Sequence, residues 1–263
     1  MKIHPVLGSP ALFFSSEGMR VLVAADLHLG IEGELAEQGV SLPSQIPSAR
    51  RKLEELIRRK KPDKLIFLGD VKHNVPTSTW REWAELPSFF EALSELVEVE
   101  VVKGNHDGDI EGMVPQGVRV HDPEGIRMGK VGLLHGHTWP SPELWDAEVL
   151  VCAHSHPAVE FRDSLGGRLV APVWLKGRVD TSLFPPKRKK GVEGERELIV
   201  MPAFGELVGG YAVNGPSSEE LLGPLFRCGA VRLEEMEAFL LDGTYLGRVK
   251  SLPARNNYPE EER

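Results

Sequence analysis

Residues 64–70 read KLIFLGD, an apolar run that ends in Gly69 and Asp70. A continuous apolar run of this length is typical of a strand that is buried on both faces of a sheet. The same pattern occurs before it in residues 20–26 (RVLVAAD) and after it in residues 99–107 (VEVVKGNHD). Helical patterns separate the three runs, so the sequence predicts strands joined by right-handed parallel crossovers.

The stretches between and after these strands complete the predicted order. Residues 48–61 have apolar side chains on one helix face and charges on the other, and Pro62 ends this helix. Residues 80–97 predict a second helix, which we expect to be interrupted near Pro87. The second half predicts short strands at 118–120, 126–134, 148–153, 158–161, 169–171 and 197–202, and a hairpin over 237–249.

Composition excludes several classes of protein. The 263 residues carry a formal net charge of -8, so a basic surface over the whole domain is absent. The apolar runs are too short to span a bilayer, and the start has no apolar core of a signal peptide. Two cysteines make neither a disulfide framework nor a Cys-rich zinc site. We expect a cytoplasmic protein without membrane contact, with one domain over 1–253, a basic polar loop at 185–196 and a disordered tail at 254–263.

Side chains with metal-binding chemistry follow five of the predicted strands. Ligands of open α/β sheets bind outside the carboxyl ends of the strands, so these side chains should meet at one edge. Asp-x-His at 26–28 and His-x-His at 154–156 each place two side chains on the same side of an extended segment. Oxygen and imidazole ligands together suit Mn, Fe, Zn, Co or Ni better than Ca or Mg. The strand ends carry Asp26, His28, Asp70, His73, Asn105, His106, Asp107, His135, His137, His154 and His156.

These motifs, in this order, resemble the five motifs of the calcineurin-like metallophosphoesterase superfamily, and the string GNHD at 104–107 is highly specific within the series. Residues 202–205 (PAFG) with glycines at 209–210 resemble a subset, the archaeal SbcD-related and the bacterial ligase-associated phosphoesterases. Residues 172–178 (PVWLKGR) resemble the archaeal group. The resemblance implies an α/β fold of four layers, α/β/β/α, in which helices enclose two mixed sheets and a dinuclear metal site lies at their C-terminal edge.

The resemblance also implies a role for each strand-end residue. His106 would face the substrate and Asp107 would orient its ring. His137 would contact the substrate or support the ligands from behind. His73 either lines the substrate pocket or is an ordinary residue of a polar loop. His73 departs from the family, whose second motif often ends in Asp or Asn. The cofactors implied are two divalent transition metals, manganese first, with Fe, Zn, Ni and Co as alternatives. One metal would be held by Asp26, His28, Asp70 and His156, and the other by Asp70, Asn105, His135 and His154.

The reaction implied by the resemblance is hydrolysis of a phosphoester by in-line attack of a metal-bound hydroxide. We expect a phosphodiesterase or nuclease that acts in nucleic-acid metabolism, including DNA repair. A phosphomonoesterase and a cyclic-nucleotide phosphodiesterase remain open as alternatives. A metal-binding interaction module recruited to a repair helicase or ligase is the alternative from a different class.

Three sequence features bear on a nucleic-acid substrate. The basic run at 187–190 and the basic residues within 50–61 are compatible with phosphate contacts, although a solvated surface is the more common role of such runs. Trp139 and Trp145 offer surfaces for stacking bases, or pack beneath a loop. Core strands occupy much of the chain after residue 166, which leaves little for a DNA-capping domain and favours nucleotides or a single-stranded substrate. A helicase or ligase partner is compatible with this, and the sequence does not fix the oligomeric state.

Overall fold

Two mixed sheets that pack face to face form the centre of the molecule. The computed structural model describes residues 2–163, 165, 167–184, 194–215 and 223–253. Within these ranges the first sheet has six strands and the second has nine. Both sheets combine parallel and antiparallel pairs. The predicted α/β fold with mixed sheets is therefore confirmed.

The first sheet contains the three predicted parallel strands. It is built from β1 (Lys2–Pro5), β2 (Ala11–Ser16), β3 (Met19–Ala24), β4 (Lys64–Leu68), β5 (Glu98–Val102) and β6 (Arg119–His121), in chain order. The last four of these strands pair in parallel, as the apolar runs predicted. β1 and β2 add an antiparallel edge that the sequence interpretation missed.

The second sheet is built around a parallel centre. Its strands are β7 (Ile126–Met128), β8 (Val131–Leu133), β9 (Val149–Cys152), β10 (Pro157–Arg162), β11 (Arg168–Asp180), β12 (Glu195–Val200), β13 (Tyr211–Ala212), β14 (Glu237–Leu240) and β15 (Tyr245–Arg248). β9 pairs in parallel with both β8 and β12. β14 and β15 form the hairpin predicted over 237–249.

Three sequence predictions for this half were wrong in extent. Residues 126–134 form a hairpin and not one strand, because the chain turns at Gly129 (φ 59°) and β7 pairs antiparallel with β8. The strand predicted at 169–171 is only the start of β11, which runs on because β10, β12 and β14 all pair with it. The predicted loop at 185–196 ends earlier than expected, since β12 begins at Glu195. Residues 185–193, with the basic run, and the predicted tail at 254–263 lie outside the described residues.

The helices lie mainly over the first sheet. They are α1 (Ile31–Glu37), α2 (Ile46–Lys60), α3 (Trp80–Ser94) and the short α4 (Pro224–Arg227). α3 continues through Pro87, contrary to the predicted interruption. A capping box of Thr79 and Glu82 starts this helix, and its buried side chains, among them Phe89 and Leu93, offset the hydrogen bond lost at the proline. Among the described helices, none is long and apolar enough to cross a membrane.

Three apolar clusters hold the layers together. Leu53 of α2 and Phe89 of α3 pack on the outer face of the first sheet. Ile66 of β4 and Trp174 of β11 belong to the cluster between the two sheets. The outer face of the second sheet is covered by α4, through Leu225, and by short 3-10 turns. The fourth layer is therefore made of short segments instead of long helices.

A buried ion cluster joins β4, β5 and β6. Glu100, which is 3% exposed, accepts hydrogen bonds from Lys64 Nζ at 2.5 Å and from His121 Nε2 at 2.7 Å. Burial acts to raise the pKa of Glu100, but His121 and Lys64 outweigh it and lower the pKa to about 2. The carboxylate therefore stabilises the fold above the ordinary carboxyl pKa, and this contribution is lost as the pH falls towards the folded value.

Replacing Glu100 by glutamine should lower the free energy of unfolding by about 2 kcal/mol at pH 7, because the buried Lys64 loses its buried anionic partner and keeps only the exposed Glu98. Since the pKa shift runs from 4.5 to about 2, the difference from the unsubstituted protein should shrink over that pH range. Denaturant unfolding at pH 7 and pH 3 measures both effects.

Glu98→Gln is the matched control for this prediction. Glu98 lies 3.1 Å from the same Lys64 Nζ, but its side chain is 57% exposed. Its loss should cost less than about 0.5 kcal/mol, because exposed ion pairs contribute little. Equal losses in the two variants at pH 7 would contradict the role assigned to Glu100.

Candidate metal centre

Four strand ends deliver a potential metal ligand at the same offset. Asp26 follows β3, Asp70 follows β4, His135 follows β8 and His154 follows β9, each two residues after the strand ends. Two hydrogen bonds cross between the sheets here: the His154 N–H donates to Asp26 Oδ2 at 3.1 Å, and His135 Nδ1 donates to the Leu68 carbonyl at 2.9 Å. The single edge predicted for these strand ends is therefore an edge that both sheets share.

One group of potential ligands consists of Asp26, His28, Asp70 and His156, whose ligand atoms all lie within 4.8 Å of one another. His28 Nε2 is 3.3 Å from His156 Nε2 and 3.6 Å from Asp70 Oδ2. His156 Nε2 is 3.4 Å from Asp26 Oδ1. We refer to these four residues as the first ligand group.

A second ligand group consists of Asp70, His135 and His154, again with ligand atoms within 4.8 Å of one another. His135 Nε2 lies 3.3 Å from Asp70 Oδ2. The rings of His135 and His154 meet edge to face, with their centroids 5.1 Å apart. Asp70 belongs to both groups, and the same oxygen, Oδ2, approaches a histidine of each.

Five of these residues have a left-handed backbone, which is unusual for residues other than glycine. This differs from the extended Asp-x-His and His-x-His segments that the sequence predicted. Hydrogen bonds from the His28 N–H to the Asp70 carbonyl (2.9 Å) and from the Asp26 N–H to the Gly69 carbonyl (3.0 Å) hold part of this conformation. The φ angles are 53° at Asp26, 45° at His28, 50° at Asp70, 68° at His154 and 42° at His156.

Two glycines make room for the central carboxylate and its histidine neighbour. A Cβ atom at Gly69 would lie 2.2 Å from His135 Nδ1, and φ is 85° there. A Cβ atom at Gly104 would lie 2.1 Å from Asp70 Oδ1. Both distances are far inside van der Waals contact, so the GD and GN pairs of the motifs are steric requirements of this site.

His106 lies against both Asp70 and His28. Its backbone N–H donates to Asp70 Oδ1 at 2.9 Å, and its ring centroid is 4.7 Å from that of His28. Its Nδ1 donates to the carbonyl of His73. The ring is thus oriented by a main-chain carbonyl.

Asp107 does not make the contact expected with the His106 ring. Its buried carboxylate accepts the backbone N–H groups of Val71 and Gly104, at 2.9 Å each, and of Lys72 at 3.3 Å. Burial raises the pKa of Asp107 to about 6, and Asp70 adds to this shift. Asp107 therefore fastens the loop after β4 to the loop after β5.

His73 lies beside the first ligand group and is held by two glutamates that the sequence interpretation missed. Its Nδ1 is 3.2 Å from His28 Nδ1, and its Nε2 is 2.6 Å from Glu34 Oε2. Its backbone N–H donates to the buried Glu82 Oε1 at 3.1 Å. The pattern Thr79-x-x-Glu82 was the available signal for Glu82, while no sequence signal pointed to Glu34.

The remaining predicted residues border the site less closely. Asn105 is exposed and stands between Gly104 and His106, which both touch Asp70. His137 is half-buried, with its ring centroid 5.2 Å from that of His135.

The two tryptophans after the fourth motif pack against Phe184. Trp145 is buried and its ring centroid is 4.9 Å from that of Phe184. Trp139 contacts the same phenylalanine, with centroids 5.6 Å apart. The structure therefore supports the packing alternative for the buried Trp145, while Trp139 is half-buried.

Burial and charge set the protonation states of the site. Burial lowers the pKa of His28 to about 3, and burial together with His135 lowers the pKa of His154 to about 4. Burial acts to raise the pKa of Asp70, but His135 and His28 outweigh it, and the pKa lies well below its ordinary value. Burial likewise opposes a charge on His135, yet Asp70 and Asp26 raise its pKa. The site therefore holds a charged Asp70 carboxylate and neutral imidazoles at His28 and His154, the forms that bind metals. His135 is instead drawn towards its charged form, so the site favours positive charge beside Asp70.

The donor atoms fit divalent transition metals. Asp26 Oδ1 and His135 Nε2 are buried without a hydrogen-bond partner in the described part of the chain, although such atoms are normally paired. The bond from His135 Nδ1 to the Leu68 carbonyl assigns the hydrogen to Nδ1 and turns the lone pair of Nε2 towards Asp70. Carboxylate oxygens with imidazole nitrogens are the donors that Mn, Fe, Co, Ni and Zn accept.

Comparison with known proteins gives a family for the chain and a solved structure of similar fold. The calcineurin-like phosphoesterase family matches residues 19–184. The crystal structure of the Pseudomonas putida nuclease MPE is similar over 93% of this chain and 100% of that chain, with a TM-score of 0.52 and 19% identity. The E. coli phosphoesterase YfcE covers 54% of this chain and 74% of its own, with a TM-score of 0.35 and 24% identity. A search of curated proteins found none that matches.

The family match spans more than half of the chain, so the protein belongs to the calcineurin-like phosphoesterase family. Membership indicates a metal-dependent phosphoesterase, that is, a hydrolase of phosphoester bonds. The similarity to the Pseudomonas putida nuclease, at 19% identity, concerns the fold, which the two chains share over nearly the whole length of this one.

Gly104→Ala should weaken manganese binding by about 10–100-fold, the usual effect of disturbing a group that positions a ligand. The reason is steric, because the new methyl group would displace the Asp70 carboxylate. Titration with Mn²⁺, followed by measurement of bound metal, gives the affinity.

Gly108→Ala is the control in the same loop. Among the residues that the structure describes, none outside the adjoining ones lies within 4 Å of a Cβ placed at Gly108, so this variant should bind manganese as the unsubstituted protein does. Undiminished manganese binding by Gly104→Ala would show that the Asp70 carboxylate does not need the position described here.

Proposed function

We propose that this chain is a phosphodiesterase or nuclease that hydrolyses its substrate with two divalent metal ions. The observation that supports this most directly is that Asp70 belongs to both ligand groups. A carboxylate common to two sets of donors is suited to bridge two cations, and paired cations are a known device of phosphoryl-transfer enzymes.

The residues proposed to hold the ions are those of the two ligand groups, with Asn105 as an additional ligand of the second. When bound, the two ions lower the pKa of coordinated water and offset negative charge on the phosphoryl oxygens. Manganese is the first choice for this donor set, and Fe, Zn, Ni and Co are alternatives. The first ion is assigned to Asp26, His28, Asp70 and His156, and the second to Asp70, Asn105, His135 and His154.

His106 is the proposed proton donor to the leaving oxygen. Its Nδ1 carries the hydrogen bonded to the His73 carbonyl, so Nε2 is the nitrogen that exchanges a proton with substrate. The hydrogen bond from the backbone N–H of His106 to Asp70 Oδ1 fixes the position of this residue beside the ligands. Asp107 acts in this proposal as a positioning residue, since it joins the two loops that present His73 and His106.

Phosphodiesters are the first choice of substrate. The Pseudomonas putida protein of the same fold is a nuclease. The described residues between 168 and 253 build strands of the second sheet and the turns that cover it, which favours nucleotides or single-stranded nucleic acid at the shared edge. Activity in DNA repair, a helicase or ligase partner and cyclic-nucleotide hydrolysis remain predictions from the sequence resemblance, and phosphomonoester hydrolysis is an alternative outcome of the test below.

His106→Ala should lower kcat for bis(p-nitrophenyl) phosphate by about 10²–10⁴-fold with Mn²⁺, since it removes the proton donor. It should retain the bound metal, because the two ligand groups remain intact. Asp70→Ala should lose both metal and activity. Release of p-nitrophenolate and metal analysis of the same samples measure the two properties.

His4→Ala serves as the control, because His4 lies on β1 away from both ligand groups. Full activity in His106→Ala would remove that residue from the mechanism. Hydrolysis of p-nitrophenyl phosphate, with no cleavage of diesters under any metal, would replace the diesterase proposal by a monoesterase.

A further inference from the structure

A cavity of about 700 Å³ opens beside the first ligand group. Its walls come from the turn 7–10, from α2, from β10 and β11, from the segment 203–210 and from Leu241. His156 lines the cavity and also belongs to the first ligand group. A molecule bound in the cavity would therefore adjoin a phosphate held at the proposed metal site.

The wall formed by the segment 203–210 is fastened to the site residues themselves. The Gly205 N–H donates to the Asp26 carbonyl at 3.0 Å, and the Tyr211 N–H donates to the His156 carbonyl at 2.7 Å. The segment is thus held on residues of the first ligand group at Gly205 and, directly after its end, at Tyr211. The cavity is preformed with respect to the metal site, which reduces the ordering cost of binding.

The inner surface is largely apolar. Pro157 of β10, Val170 of β11 and Phe204 contribute apolar side chains. Pro172 lines the cavity as well and lies two residues from Val170, on the same face of β11. Apolar walls with a few polar groups, in a volume of this size, are typical of sites for small organic molecules.

The charged side chains of the cavity cancel one another. Lys52 and Arg59 of α2 are the cations, and Glu55 and Glu206 are the anions. Lys52 is paired with Glu206 across the cavity. Counted over the described lining residues, the cavity thus has no excess positive charge for a row of phosphates, while its polar groups offer donors and acceptors to a neutral ligand.

We propose that this cavity holds the nucleoside portion of a phosphodiester whose phosphate lies at the metal site. The inference rests on the proposed function and narrows its substrate class to nucleoside phosphodiesters, including the end of a nucleic-acid strand. The apolar walls receive the base, and the charged side chains at the cavity surface hydrogen-bond to the base edge and the sugar hydroxyl groups. Discrimination comes from the nucleoside, because the metals bind any phosphate.

Two diesters with the same leaving group test this proposal: thymidine 5′-(p-nitrophenyl phosphate) and methyl p-nitrophenyl phosphate. The unsubstituted protein should favour the thymidine ester in kcat/KM by at least about 10-fold, the scale of discrimination that an apolar pocket supplies. Val170→Phe fills the cavity and should abolish most of this preference, with the methyl ester unaffected. Leu169→Phe is the matched control, since Leu169 is the neighbouring residue on β11 and is 63% exposed.

Binding gives a second measurement that needs no turnover. Val170→Phe should weaken binding of thymidine 5′-monophosphate at least about 5-fold and leave binding of inorganic phosphate unchanged. Equal hydrolysis of the two esters by the unsubstituted protein, or a preference that survives Val170→Phe, would overturn the nucleoside site but leave the phosphodiesterase intact. Nucleotide binding that depends on Val170, without hydrolysis of either ester, would support the cavity and overturn the proposed function. Neither hydrolysis nor nucleotide binding would overturn both.

Discussion

The carboxylate of Asp70 is the feature on which the arrangement of the site depends. Its Oδ1 accepts the His106 N–H at 2.9 Å, while Oδ2 lies 3.6 Å from His28 Nε2 and 3.3 Å from His135 Nε2. These three neighbours follow strands of both sheets, so one side chain joins the two halves of the fold. A buried carboxylate costs several kcal/mol unless it is compensated, and the histidines and the cations proposed here supply that compensation.

The arrangement of ligands around Asp70 requires a strained backbone at several residues. Five candidate ligands have left-handed φ angles. Each such residue costs about 1–3 kcal/mol and persists only when its surroundings determine it. Here the surroundings are two sheets packed through side chains such as Ile66 and Trp174, and hydrogen bonds that continue from β3 to β4 beyond the ends of the strands. The packed sheets and these hydrogen bonds therefore keep the candidate ligands in fixed positions.

Much of this could be predicted from the sequence because the signals are local. The apolar run 64–70 predicted a buried strand, and the polar residues at its end predicted a shared edge. The residues that escaped prediction depend on distant parts of the chain: Glu34 meets His73 only after folding, and β11 extends through residue 180 because three strands pair with it. The left-handed conformation at His154 could not be predicted either, since the His-x-His spacing is the same in a left-handed segment and in an extended one.

Anomalous X-ray diffraction from manganese-soaked crystals tests the central claim most directly, which is that Asp70 joins two metal ions. We predict two peaks about 3.5–4 Å apart, the separation typical of two-metal hydrolases, with the Asp70 carboxylate in contact with both. Asp70→Ala crystals should lack at least one of the peaks. A single peak in the unsubstituted protein, or two peaks that do not share Asp70, would contradict the account.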